Sequence, residues 1–244
     1  MTYCLALRLD EGLVFLSDTR TNAGVDNIST YRKLHVIKPS SDRAFVIQAA
    51  GNLATTQEVL DRIDRDLTTP GTHESLATVT RLFEAALYVG RISREVVASH
   101  RDGLAASGAT GTATFILGGQ IHGARADIFL VYPEGNYIKA SNSKPFLQIG
   151  ETKYGKFWLE FAVRVRADID VATKVALGSM LSTARANLSV GPPYDLALYR
   201  NGSLTFEEHR IEADSEYLDE LQQVWVSHLL GAIQELPPVP WQAL

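Results

Sequence analysis

Two apolar runs open the chain. Residues 2–9 (TYCLALRL) and 13–17 (LVFLS) are joined by Asp10-Glu11-Gly12, a turn composition, so they read as a β-hairpin. A polar loop over 22–30 leads to a third strand at 31–37, and 44–50 makes a fourth that ends at Gly51. The period then changes. Leu53, Gln57, Leu60, Ile63 and Leu67 recur every three or four residues, as do Leu76, Val79, Phe83, Ala86 and Leu87, which predicts two amphipathic helices. The small-residue stretch 108–112 lacks the Lys of a phosphate-binding loop and reads as a connection.

The alternation then starts again. Residues 113–117, 127–132 and 137–140 are predicted strands, the last two separated by Pro133-Glu134-Gly135-Asn136. Helices follow over 153–165 and from Asp168, an N-cap residue, to about 187. Asn201-Gly202, between strands at 194–199 and 204–211, has the chemistry of a two-residue type I′ turn. A helix over 215–236 and a Pro-rich tail, LPPVPW, complete the pattern. Hairpins of strands alternating with paired helices predict an α+β fold, a four-layer αββα sandwich of two antiparallel sheets with helices on each outer face. Its 244 residues fit one domain, 1–244, with the C-terminal helix and tail from about 214.

Composition removes several function classes. Hydrophobic residues are 45% and charged residues 21%, the values of an ordinary globular protein. The net charge is −5 and the 23 Lys and Arg are scattered, so no nucleic-acid partner is expected. Cys4 is the single cysteine, which excludes an internal disulfide or a cysteine zinc cage, and the six histidines are dispersed; neither a metal nor a cofactor is expected. No run approaches the ~18 apolar residues of a membrane span. With no signal-peptide pattern either, the expected location is the cytoplasm, away from the membrane.

The candidate chemistry lies between Thr2 and Gly51. A Thr hydroxyl is a weak nucleophile until a base takes its proton. Thr2 follows Met1 directly, and once Met1 is trimmed its own α-amine, with an unperturbed pKa of about 7.7–8.0, supplies that base. Asp18 closes the second strand of the hairpin that begins at Thr2, so both lie at one sheet end. Lys33 stands on the next strand, and Gly51 ends the fourth just before a helix, where backbone N–H groups point outward. All four can converge.

Each residue alone has a plainer reading. Thr at position 2 is common, Asp18 and Arg20 can form an ion pair that ends a strand, Lys33 can be a solvated edge lysine, and Gly51 a tight turn. Asp168 and Asp170 read as helix-start acids rather than metal ligands. Cys4 reads as a buried small residue. Leu218, Leu221, Trp225 and Leu229 form a stripe for the core or for a subunit contact, and the Pro-rich tail either docks on a neighbour or frays.

In combination the residues are more specific. "SDTRTNAG", then "YRKLHVI", then "QAAGNLATTQ" resemble the β-type subunits of the proteasome, and "FILGGQIHGARADIFLVYPEGNYIKA" is similar to that family's second hairpin. Asp-Thr-Arg after the second strand, the absence of a propeptide, "IGETKYGK" and "ANLSVGPPYDL" resemble its bacterial branch, Anbu. The resemblance implies an N-terminal nucleophile hydrolase fold, a threonine peptidase-like activity on peptide or related amide substrates, and a homo-oligomer built as a ring or an open spiral. It implies Thr2 as nucleophile, Lys33 lowering the pKa of its hydroxyl and amine by charge, Asp18 fixing Lys33, and Gly51 N–H as oxyanion donor. Arg20, Asn187 and Ser189 would be supporting residues, and Thr21, Tyr31, Ala49 and Leu53 would line the substrate pocket. Genes for such proteins tend to lie near those of ATP-grasp and transglutaminase-like proteins, which suits a dedicated small-peptide substrate. A scaffold without catalysis is the alternative, and an ATP-dependent partner is left open.

Overall fold

The computed structural model describes residues 2–22, 28–69, 71 and 73–240. Its strands are β1 (Tyr3–Arg8), β2 (Gly12–Asp18), β3 (Arg20–Asn22), β4 (Ile28–Thr30), β5 (Leu34–Ser40), β6 (Arg43–Gly51), β7 (Ala113–Ile121), β8 (Asp127–Val131), β9 (Tyr137–Lys139), β10 (Phe146–Gly150), β11 (Tyr194–Arg200) and β12 (Phe206–Ile211). The helices are α1 (Leu53–Thr68), α2 (Leu82–Ser99), α3 (Arg101–Ser107), α4 (Lys153–Ala162), α5 (Ile169–Ala186) and α6 (Glu216–Gln234).

Two five-stranded antiparallel sheets, ordered β10-β1-β2-β11-β12 and β5-β6-β7-β8-β9, stack face to face. Three apolar clusters mark the three interfaces of the expected αββα sandwich. Phe15, Leu34, Val46, Ile116 and Ile128 pack between the sheets. Phe45, Phe115 and Val131 meet Val59 and Ile63 of α1 and Val89 and Ile92 of α2. Leu5, Leu16 and Leu196 meet Leu159 of α4, Ala176 and Met180 of α5 and Leu218 of α6. Every residue of β1 and β2 is buried, because each strand is covered on both faces, and this is why both read as unbroken apolar runs.

Several elements depart from the pattern. The polar loop contains the short hairpin β3–β4, with its tip, 23–27, outside the described residues, as are Met1 and the last four positions of the tail. Lys33 lies just before β5 rather than on a strand. Leu76 and Val79 are core residues of a turn that precedes α2, while Phe83 and Leu87 of α2 are 38% and 44% exposed. The three-to-four spacing therefore joined two segments, and of its three α2 positions only Ala86 faces the core. Helix α3 and strand β10 have no counterpart in the sequence pattern. The turn at Asn201-Gly202 is wider than a type I′ turn: pairing stops at Tyr199↔Phe206, and the Gly202 N–H is drawn to Gln120 Oε1 at 2.8 Å.

Candidate active site

The β1–β2 hairpin places Thr2, one residue before β1, at the end where β2 finishes in Asp18. The Tyr3 N–H donates to Asp18 Oδ1 at 2.9 Å, which ties the start of one strand to the end of the other. On the other side, the Thr2 carbonyl accepts from the Glu151 N–H at 2.7 Å. That contact requires Gly150, which has φ +82° and whose Cβ position would collide with the Thr2 carbonyl oxygen. Gly51 closes β6 at φ +118°, pressed on the Thr112 carbonyl where a side chain has no room. Asn52 then caps α1, its side chain accepting from the Thr55 N–H at 3.1 Å.

Lys33 supplies the cation. Its Nζ donates to Asp18 Oδ1 at 2.8 Å and to the Arg20 carbonyl at 2.6 Å, and the two charged side chains are 6% and 0% exposed. The backbone explains the inward turn. The Tyr31 N–H donates to the Thr19 carbonyl at 2.9 Å and the Ala49 N–H donates to the Lys33 carbonyl at 3.0 Å, so the segment before β5 is pinned against both sheets. Burial pushes the Asp18 carboxyl above the ordinary carboxylate range, against the opposing pull of Lys33 and the Tyr3 N–H. Burial likewise pushes the Cys4 thiol up, and its Sγ lies 3.9 Å from the Ala49 carbonyl, so it is an inert core group beside the site. The Tyr3 phenol is pushed up to about 12 by burial and sits between Ser179 and Gln148.

A cleft of about 220 Å³ opens beside Thr2. Thr2, Lys33 and Gly51 line it, together with Thr21, Tyr31, Ala49 and Leu53; Asp18 stands behind Lys33. The supporting residues are arranged differently. Arg20 Nη1 donates to the Leu188 carbonyl at 2.9 Å. Asn187 donates from Nδ2 to the Glu151 carboxylate at 3.0 Å and accepts at Oδ1 from the Ser189 N–H at 3.0 Å. Asn187 and Ser189 belong to the loop after α5, which Arg20 reaches from the start of β3, and none of the three lines the cleft. Gly150 and Arg32 were missed by sequence reasoning. Gly150 ends a strand that local pattern does not reveal, whereas Arg32, between Tyr31 and Lys33, carried a signal by adjacency alone. Among the described residues no three His, Cys, Asp or Glu side chains could hold a metal ion, and no helix is long and apolar enough to cross a membrane.

Two stacked antiparallel sheets between helical layers, with the first strand starting beside a buried Lys–Asp pair and an open cleft, define the N-terminal nucleophile hydrolase fold. The chain matches no family model and no curated protein. Solved structures do match. Anbu (ancestral beta-subunit) from Yersinia bercovieri is 40% identical, with 98% of this chain and 99% of that one covered at a TM-score of 0.90. The helical assembly of the Anbu complex from Pseudomonas aeruginosa is 40% identical, with 98% of each chain covered at 0.92. An Anbu (Gly-1) mutant from Hyphomicrobium sp. strain MC1 is 42% identical at 0.90, covering 98% of this chain and 99% of that one. The chain belongs to the Anbu family of proteasome-like proteins.

Proposed function

We propose that this chain is a threonine-type amidohydrolase that works in a self-assembled homo-oligomer. The observation that carries the reading is the buried Lys33–Asp18 pair, whose lysine opens onto the cleft that Thr2 and Gly51 share. With Met1 removed, the Thr2 α-amine takes the hydroxyl proton and Oγ1 attacks the amide carbon of a peptide or related substrate. The Lys33 charge lowers the pKa of both groups, and the Gly51 N–H receives the oxyanion. The amine product leaves with the proton, and water then hydrolyses the acyl ester to restore Thr2. Arg20, Asn187 and Ser189 hold the loop that backs the site.

Assembly follows the helical complex of the relative from P. aeruginosa. The exposed Leu230 and Ile233 of α6, Leu236 just beyond it, and Phe157 and Phe161 of α4 give apolar area for subunit contacts.

The test is intact-mass measurement of the untagged protein after incubation with a peptide epoxyketone. Loss of Met1 and one covalent adduct, absent in Thr2→Ala, is the expected result. A protein that keeps Met1, or that loses it and never reacts, fits a catalytically silent scaffold instead.

A further inference from the structure

The cleft beside Thr2 is asymmetric in charge. Among the described residues, no Asp or Glu lines it, while Arg32, Lys33 and His35 do. These three basic groups are held differently. Lys33 points into the sheet end, where its charge faces Asp18 at 2.8 Å. His35 Nε2 lies 3.2 Å from the Arg32 carbonyl, and burial draws its pKa below the ordinary histidine range, which favours the neutral ring. Arg32 is 51% exposed and loosely held. Its Nη2 is 3.4 Å from Glu208 and its Nε 3.7 Å from Asp195. Asp195 is itself occupied, because Arg210 grips both its oxygens at 2.7 and 3.0 Å.

A guanidinium has five donors in a planar fork that suits a carboxylate, and Arg32 uses few of them well. Its backbone is meanwhile fixed on both sides by the Tyr31 and Lys33 contacts that shape the cleft wall. We infer that Arg32 is the carboxylate receptor of this cleft, so that the favoured substrate carries an acidic group on the acyl side of the scissile amide. The inference rests on the proposed amidohydrolase reading, and it names the substrate class.

The experiment compares two peptide epoxyketones, Ala-Ala-Glu and Ala-Ala-Gln, which differ only in charge at the residue next to the warhead, with Ala-Ala-Lys as a third probe for the charge-reversed variant. In full-length Thr2→Ala protein, which cannot react, their affinities are compared by ligand-observed NMR. The Glu probe is expected to bind at least about tenfold more tightly, the scale of one charge-assisted hydrogen bond. Arg32→Gln should abolish the preference, Arg32→Lys should keep part of it, and Arg32→Glu should favour a lysine probe. Equal affinities, or a preference that Arg32→Gln retains, overturn the inference whether or not the wild-type protein forms an adduct. A preference that depends on Arg32, in a protein whose Thr2 never reacts, overturns the amidohydrolase reading and leaves the receptor standing.

Discussion

Asp18 and Asp195 lie one register step apart, on the neighbouring strands β2 and β11, and both are almost inaccessible to solvent. Their environments are opposite. Asp195 receives a two-pronged grip from Arg210, a residue 42% exposed, with Arg32 at 3.7 Å as a second cation. Its charge is matched and connected to the surface. Asp18 depends on a single buried ammonium and one strong backbone donor, with Gly191 the weakest of the groups that oppose its burial; its Oδ2 accepts no well-formed hydrogen bond. A carboxylate that only locks two strands together needs no such exposure to risk. On the proposed reading, Asp18 holds a lysine beside a reacting hydroxyl and has to leave that lysine reachable from the cleft.

Removing Lys33 breaks the Asp18 side of this comparison and should give the largest effect. Lys33→Met leaves a buried carboxylate without its cation, a loss of about 3–5 kcal/mol in stability. Adduct formation at Thr2 should fall below detection. The stability loss should also depend on pH with a definite sign. Without Lys33, the folded-state pKa of Asp18 rises further above its unfolded value of about 3.9. A carboxyl raised in this way binds its proton more tightly when folded, so the penalty is absent below the unfolded pKa and grows as pH rises through the folded one. Thermal unfolding of variant and wild type should therefore converge as pH falls toward about 4. A constant gap across that range would mean that Asp18 is not the group left unpaired.

The sequence made part of this arrangement readable, for physical reasons that differ by residue. β1 and β2 announced themselves because both faces are buried, and the change to helical period after Gly51 marked the junction that positions α1. Strand β10 did not, because its five residues become a strand only by pairing along β1, from Tyr3↔Gly150 to Leu7↔Phe146. Gly150 and its contact with Thr2 were hidden with it. Lys33 was recognisable by its neighbours, but its departure from the strand was not: that depends on hydrogen bonds from Tyr31 to Thr19, in the link between β2 and β3, and between Lys33 and Ala49 of β6. Helix α2 shows the limit of periodicity, since the turn containing Leu76 and Val79 happens to extend a helical spacing into a segment that is not helical. Asp195 and Arg210, separated by fifteen residues across a hairpin, attracted no notice, because a matched ion pair in a strand register leaves no trace in the apolar pattern.

Arg210 offers the smaller test, from the saturated side. Arg210→Gln removes the two-pronged grip but leaves Asp195 with Arg32 3.7 Å away, able to move onto the vacated oxygens. The stability loss should be about 1–3 kcal/mol, below that of Lys33→Met, because a replacement cation is at hand and the carboxylate is not stranded. The more informative consequence is indirect. Once Arg32 is drawn toward Asp195 it turns away from the cleft, so the preference for the Glu over the Gln epoxyketone should drop several-fold while the labelling rate with the Gln probe stays unchanged. Arg210→Lys, which keeps a charge on Asp195, should restore much of the preference. If Arg210→Gln instead leaves the preference intact, Arg32 and Asp195 are not in competition for one another. The two ion pairs would then be independent, and the looseness of Arg32 would come from its exposure alone.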